Sequence, residues 1–398
     1  MASLMPAISE SPVIATLPTD VAIASPPENL TGTLARWSGV WTGWACRSQL
    51  CDVKVAVETI SNSSATLVYA SASATQAPFF ERVSAEISGE EIRSRLRTGS
   101  TLVLRLRSGG DMEMVLLKPD NQLGAAGVLT KGPLGYTRSV DRVPTPWTEN
   151  GQTQTLEMVV YQPIGKGQGP FPTLIFNHGS TGNGDRPELF RYTFSAPTVT
   201  RYFTDIGWQV LFPQRRGRGK SDGLYDEGFR ADRSGYACQT NISLAGLDRA
   251  QVDMDVVMDH VVQRKDVDTT RMLIGGVSRG GILSASFAGT RRIGFKGVIN
   301  FVGGWMGERC SYAESINQTA FHRAAAYGRP MLWLYGDKDP FYSLSHSRKN
   351  FDAFVAAGGK GQFLSYMPEA GQSGHFLHGM PTLWQGAMDD YLHQINMQ

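Results

Sequence analysis

No run of about 18 or more apolar residues occurs anywhere in the chain, so no membrane-spanning helix is expected. An excess of one charge is missing too. Lys and Arg total 38 against 36 Asp and Glu, and the net +2 gives no electrostatic reason to expect nucleic acid or an acidic membrane surface as a partner. Histidine is sparse at 7, and neither a His-Glu-x-x-His motif nor a cysteine metal spacing occurs, so no metal or other cofactor is implied. The start lacks the basic residues and apolar core of a signal peptide. Met1 to Pro27, rich in Ala, Ser and Pro, reads as a flexible leader reaching to about residue 30.

Cysteine is scarce but suggestively placed. Of the 4, Cys46 and Cys51 are close neighbours, while Cys238 and Cys310 lie in the later part of the chain. One pair in each part fits disulfides in an exported protein, secreted or periplasmic; four unrelated buried thiols in a cytoplasmic one is the alternative. What is present in quantity describes an ordinary globular chain. Hydrophobic residues make up 41% and charged residues 19% of 398, enough for two domains with a proper core.

The first third reads as β structure. Trp37 to Trp44 alternates aromatic and small residues, and further β-type runs follow at Val53–Val57, Ala65–Tyr69, Glu91–Arg97, Thr101–Leu106 and Met112–Leu117. Gly89, Gly99 and Gly109-Gly110 punctuate them at hairpin spacing. Six or more strands in sequence predict a small antiparallel barrel or sandwich over residues 31–123. Its Gly-x-Trp opening resembles the first strand of lipocalin-like barrels, which would imply a ligand-holding calyx; tryptophans filling the domain's own core is the plainer expectation. Residues 124–134, opened by Gly124, read as a linker.

From residue 135 to 398 the pattern changes to alternating strands and helices. Leu156–Gln162, Pro172–Asn177, Trp208–Pro213, Arg271–Ile274, Gly297–Val302, Met331–Tyr335 and Phe363–Tyr366 read as strands. Ala250, Met254, Val257, Met258 and Val261 share one helical face. Such alternation predicts a mostly parallel sheet covered on both sides. Within it lies Gly275-Gly276-Val277-Ser278-Arg279-Gly280-Gly281, between an apolar strand and an apolar helix. A serine between glycines on a strand-to-helix turn is the nucleophile-elbow pattern; a Gly-rich turn whose serine merely caps a helix is the alternative.

Several motifs agree in order, and together they resemble the α/β-hydrolase fold, closest to the serine branch around dienelactone hydrolases and acyl-peptidase-like esterases. The resemblance covers about two-thirds of the chain. It implies a triad in the order Ser, acid, His, with Ser278 as nucleophile. The family's G-x-x-D pattern in Gly336-Asp337-Lys338-Asp339 selects Asp339 as the acid, with Asp337 as a turn former. Its Gly-His signature in Gly374-His375 selects His375, with His378 as competitor. Oxyanion donors are expected from the backbone N–H of Arg279 and of Ser180, with Thr181 an alternative to the second; His178 is expected to order that loop.

Gly219-Lys220-Ser221 resembles the end of a phosphate loop, but Gln214 stands where the required glycine would be, so a structural role is expected. A long loop over about residues 223–246 reads as a lid. From it Tyr225, Phe229 and Tyr236, with Trp305, are expected to line the acyl or alcohol side, or else to pack the lid on itself. A Cys238–Cys310 bond would tie the loop to the rim. The leading expectation is an esterase acting on a small-molecule ester. An acyl-peptide or amide hydrolase, and a non-catalytic binding protein using the β module, are the competing readings.

Overall fold

The computed structural model describes residues 14–30, 34–45, 51–73, 76–106, 111–121, 123–133, 135–291, 293–368 and 373–397. The chain divides into two compact units, one spanning Ser11–Gly135 and the other containing Tyr136–Gln398.

The first unit is a closed antiparallel barrel of eight strands in simple meander order: β1 (Gly39–Ala45), β2 (Cys51–Ile60), β3 (Ser64–Ser73), β4 (Gln76–Ser88), β5 (Glu91–Arg95), β6 (Thr101–Leu106), β7 (Met112–Leu117) and β8 (Leu123–Lys131). Eight strands enclose an interior just wide enough for side chains to fill. Trp41, Val55, Leu67, Leu104, Met114 and Leu129 are among those that fill it here, each almost wholly buried. Closure alters one expectation. The stretch taken as a linker from Gly124 is most of β8, which pairs with β7 on one side and β1 on the other. Its glycines are there because the strands approach closely. A Cβ at Gly127 would lie 2.4 Å from the Trp44 carbonyl oxygen, so the residue type that suggested a linker is what permits the pairing. The expected leader is also altered in its described part: the Ala15 amide donates to Asp52 Oδ2 at 2.7 Å and the Ala24 amide to the Glu58 carbonyl at 2.8 Å, laying this segment along β2. Cys46 lies outside the described residues, as does its expected pairing with Cys51.

The second unit has a sheet of eight strands: β9 (Tyr136–Glu149), β10 (Gln152–Pro163), β11 (Phe171–Asn177), β12 (Gln209–Pro213), β13 (Val267–Val277), β14 (Gly297–Phe301), β15 (Pro330–Gly336) and β16 (Lys360–Tyr366). Their spatial order is β16-β15-β14-β13-β11-β12-β10-β9. Pairings from β16 to β12 are parallel, and those of β10 with β12 and β9 are antiparallel. Helices α1 (Pro197–Asp205), α2 (Thr240–Val261), α3 (Arg279–Thr290), α4 (Ala313–Ala325), α5 (Leu344–Ala356) and α6 (Pro381–Gln394) supply the crossovers and the C-terminal end. The central strands are apolar throughout because both faces are covered: every residue of β11, β12 and β14 is buried. This is the α/β-hydrolase fold, preceded by a β-barrel, as the resemblance implied.

The chain runs from β11 outward to β12, then returns to add β13 on the other side of β11. The carboxyl ends of β11 and β13 therefore flank the point where strand order reverses, the place where such sheets open a crevice.

Cys238 and Cys310 are bonded, with Cα atoms 5.6 Å apart, across a sequence separation of 72. A cross-link over that span restricts the unfolded chain by about 4 kcal/mol. A Cys238→Ser/Cys310→Ser variant is accordingly expected to unfold at a lower urea concentration by roughly that free energy. An unchanged midpoint in equilibrium unfolding would remove the bond's claim to stability.

Candidate active site

Ser278 stands between β13 and α3 with φ 56° and ψ −124°, a conformation that costs a non-glycine residue roughly 1–3 kcal/mol. The surroundings hold it there. Its amide donates to the Phe301 carbonyl at 3.0 Å, and its carbonyl accepts from Gly281 at 3.0 Å and Gly304 at 3.3 Å. Glycine is required just behind it, since a Cβ at Gly280 would sit 2.1 Å from the Asn177 carbonyl oxygen. That contact brings the end of β11 against the start of α3. The loop leaving β11 passes directly over the serine: a Cβ placed at Gly179 would be 3.6 Å from Ser278 Oγ. Arg279 and Ser180, the two expected donors, thus follow chain segments that converge on Ser278.

Asp339 and His375 meet at 2.9 Å, Asp339 Oδ2 facing His375 Nδ1. They come from the loops after β15 and β16. The other carboxylate oxygen accepts from the amides of Phe341 at 2.8 Å and Tyr342 at 3.2 Å. Asp337 instead accepts from the adjacent Lys338 amide at 2.8 Å, the role of a turn former. His378 is half-buried beside Phe301, and its Nδ1 has no partner among the described residues. Gly371 and Gln372, which begin the histidine loop's motif, lie outside the described residues.

Tyr342 joins the two halves of the site and gave no signal in the sequence. Its ring centroid is 5.9 Å from that of His375, and its hydroxyl donates to the Gly304 carbonyl at 2.7 Å. Burial raises its pKa, with Arg279 and the Ser278 hydroxyl acting in the opposite direction. Nothing marks Tyr342 in the chain except its place three residues after Asp339.

His178 is wholly buried with its pKa held well below the usual histidine range, first by burial and then by Arg215 and Arg218. Its Nε2 lies 3.2 Å from the Arg215 amide and must accept from it. The proton is then on Nδ1, directed at the Gly179 carbonyl 2.8 Å away. A neutral imidazole with both nitrogens engaged orders the loop and has no capacity to act as a base. The Gly219-Lys220-Ser221 turn is likewise spent on structure, the Lys220 amide donating to Glu157 Oε2 at 2.7 Å and the Ser221 hydroxyl to the Gln214 carbonyl at 2.6 Å.

The loop expected to be a lid ends earlier than its expected bound, because residues 240–246 are the first turns of α2. Tyr225, Phe229, Tyr236 and Trp305 are all buried, at 2%, 6%, 8% and 1% exposure, which makes them a packed layer rather than an open lining. Phe229 packs on Tyr225 and Tyr236, whose hydroxyls share a 2.8 Å hydrogen bond. Tyr236 and Trp305 flank the guanidinium of Arg279, with centroids 3.5 and 4.5 Å from its central carbon. Sequence reasoning assigned Arg279 only a backbone amide. Its side chain is 2% exposed in the midst of that layer, and Glu227 and Arg215 beside it were not singled out at all.

Burial lowers the His378 pKa to about 4 from an ordinary 6.5, with His375 adding to the effect. A histidine kept neutral in the fold takes up its proton on unfolding, so its contribution is complete above pH 6.5 and is lost as pH falls through the folded value. The shift corresponds to about 3 kcal/mol. Urea unfolding of His378→Gln is expected to show a shallower loss of stability between pH 6.5 and 4 than the parent, and parallel curves would contradict this.

No family model matches the chain, and no curated protein matches it. Among solved structures it is similar to an esterase from Pyrococcus furiosus, at 12% identity over 66% of this chain and 91% of that one, TM-score 0.45. It is similar to an acetyl xylan esterase from Paenibacillus sp. R4, at 16% identity over 66% and 89%, TM-score 0.45. A prolyl endopeptidase is matched at 14% identity over 89% of this chain and 64% of that one, TM-score 0.43. Values of this size assign neither an activity nor a residue's role.

Proposed function

We propose that this chain, an α/β-hydrolase fold behind a small β-barrel, is a serine hydrolase that cleaves carboxylic esters through an acyl-enzyme on Ser278. The observation that carries the reading is the 2.9 Å contact between Asp339 and His375 Nδ1 at the same end of the sheet as the strained serine. A serine hydroxyl is a weak nucleophile near neutral pH, so an imidazole must take its proton as attack proceeds. With Nδ1–H on Asp339, the other nitrogen of His375 is free to be that base, and the carboxylate stabilises the imidazolium that forms. His375 then protonates the departing alkoxide, and a water repeats the cycle on the acyl-enzyme.

The tetrahedral intermediate carries an oxyanion, which the backbone amides of Arg279 and Ser180 receive in this reading. Tyr225, Phe229, Tyr236 and Trp305 form the packed layer that backs the acyl or alcohol side in this reading. The Cys238–Cys310 bond supports an oxidising compartment, secreted or periplasmic.

The choice between ester and amide is tested by kinetics on p-nitrophenyl acyl esters of rising chain length alongside aminoacyl anilides. Ester turnover with negligible anilide cleavage is expected. Faster hydrolysis of the anilides would convert the reading to an acyl-peptide hydrolase.

A further inference from the structure

Two chain segments supply the proposed oxyanion donors, and each carries an arginine-held anchor. We infer that Glu227 is the positioning residue that sets both segments relative to each other, an assignment that rests on the proposed serine mechanism. It lies in the loop before α2 and is 2% exposed. Its carboxylate receives Arg215 Nε and, at 3.0 Å, the hydroxyl of Tyr225. Its carbonyl oxygen receives Arg279 Nη1 at 2.8 Å, and the same nitrogen is 3.9 Å from Oε2.

The two arginines lead in opposite directions. Arg215 Nη2 donates to the His178 carbonyl at 3.1 Å, and its backbone amide holds the His178 ring at 3.2 Å. Arg218 adds a 3.1 Å bond to the next carbonyl, that of Gly179. Together they fix the turn that presents the Ser180 amide. Arg279 runs the other way, into the elbow itself, and Tyr236 and Trp305 clamp its guanidinium from two sides. A side chain fixed along its length fixes the amide at its root. Both donor segments are therefore braced against one residue, and no other acidic side chain meets both arginines among the described residues.

A charged carboxylate suits this task better than a neutral group. Two guanidinium ions drawn into a dry layer repel each other, and the anion offsets that repulsion, hydrogen-bonded to Arg215 and 3.9 Å from Arg279, whose closer bond is to the Glu227 carbonyl oxygen. Burial opposes ionisation of Glu227, but Arg215, Arg279 and Arg218 overcome it and keep the group below its usual range. The brace is in force wherever the enzyme is folded at ordinary pH. An oxyanion hole acts through donors placed before the charge develops, so a small drift between the two segments would appear in the barrier and not in substrate affinity.

The test compares Glu227→Gln, Glu227→Asp and Arg279→Met with the parent, using kcat and KM for one p-nitrophenyl ester. It adds inhibition by a trifluoromethyl ketone, which binds as a tetrahedral oxyanion, and by the product carboxylate, which does not. For Glu227→Gln, kcat is expected to fall about 100-fold with KM within about threefold, ketone affinity falling in step and product affinity unchanged. Glu227→Asp should recover part of the loss. If Glu227→Gln does not fold, Arg279→Met decides, because its unbranched stem keeps the packing while releasing the elbow from the brace. A purely structural role would lower the unfolding midpoint but leave kcat and ketone affinity of the folded variants at the parent value, and that result overturns the inference. Full kcat in these variants while Ser278→Ala is inactive would sink the brace alone; turnover in Ser278→Ala would sink the serine mechanism beneath it.

Discussion

Ser278→Ala is expected to lower kcat for p-nitrophenyl esters by about 10⁵- to 10⁶-fold while leaving the fold intact. The size follows from what remains. Without the hydroxyl no acyl-enzyme forms, and the only help left is whatever the oxyanion donors and binding contacts give to direct attack by water. Stability should change little, because alanine meets the same strained backbone as serine at φ 56°, and the bonds that hold the elbow run from the main chain. A fluorophosphonate probe supplies an independent readout. It should add one phosphonyl group to the parent, located by mass spectrometry on the peptide carrying Ser278, and none to the variant. An alanine variant that kept its turnover, or a label on another residue, would end the serine mechanism.

The turn at Ser278 could be read from the chain because it is a local structure. The glycines around Ser278 exist for close approach of β11, β13 and α3, and that requirement is written in a few adjacent residues. Asp339 and His375 were singled out by what the resemblance implies, a G-x-x-D pattern at Gly336–Asp339 and a Gly-His pair at Gly374-His375, in the loops that follow β15 and β16. What escaped was non-local. β9 is long and mixes buried with exposed positions, since it lies at the sheet's edge, and no apolar run announces it. β8 was concealed by the glycines that let it close the barrel. The Glu227–Arg215–Arg279 cluster joins residues 12 and 52 positions apart, and charged side chains in a sequence read first as surface. Only the fold shows that these three are buried together. Tyr225, Phe229 and Tyr236 of the loop before α2, with Trp305 after β14, illustrate the converse: their type was informative, but whether they face the crevice or each other depends on a loop conformation that composition does not determine.

Asp339→Asn is expected to reduce kcat/KM by about 10⁴-fold near neutral pH, whereas Asp337→Asn should leave it within about threefold. The two carboxylates differ in what an amide could do in their place. Asp339 Oδ1 accepts from two backbone amides, those of Phe341 and Tyr342, and only an oxygen can remain there. In the asparagine variant the amide oxygen is therefore held on that side, and the NH₂ group must face His375. A donor at this position forces Nδ1 to accept, which moves the ring proton to the nitrogen that should take one from Ser278. The base is then blocked with no atom displaced, so the unfolding midpoint should change far less than the rate. Among the described residues Asp337 faces no imidazole, and its side chain accepts from the adjacent Lys338 amide at 2.8 Å, which an asparagine oxygen can equally accept. Steady-state kinetics on the two variants side by side make the comparison. Equal losses in both, or a larger loss in Asp337→Asn, would mean that the 2.9 Å contact between Asp339 and His375 is not part of the reaction.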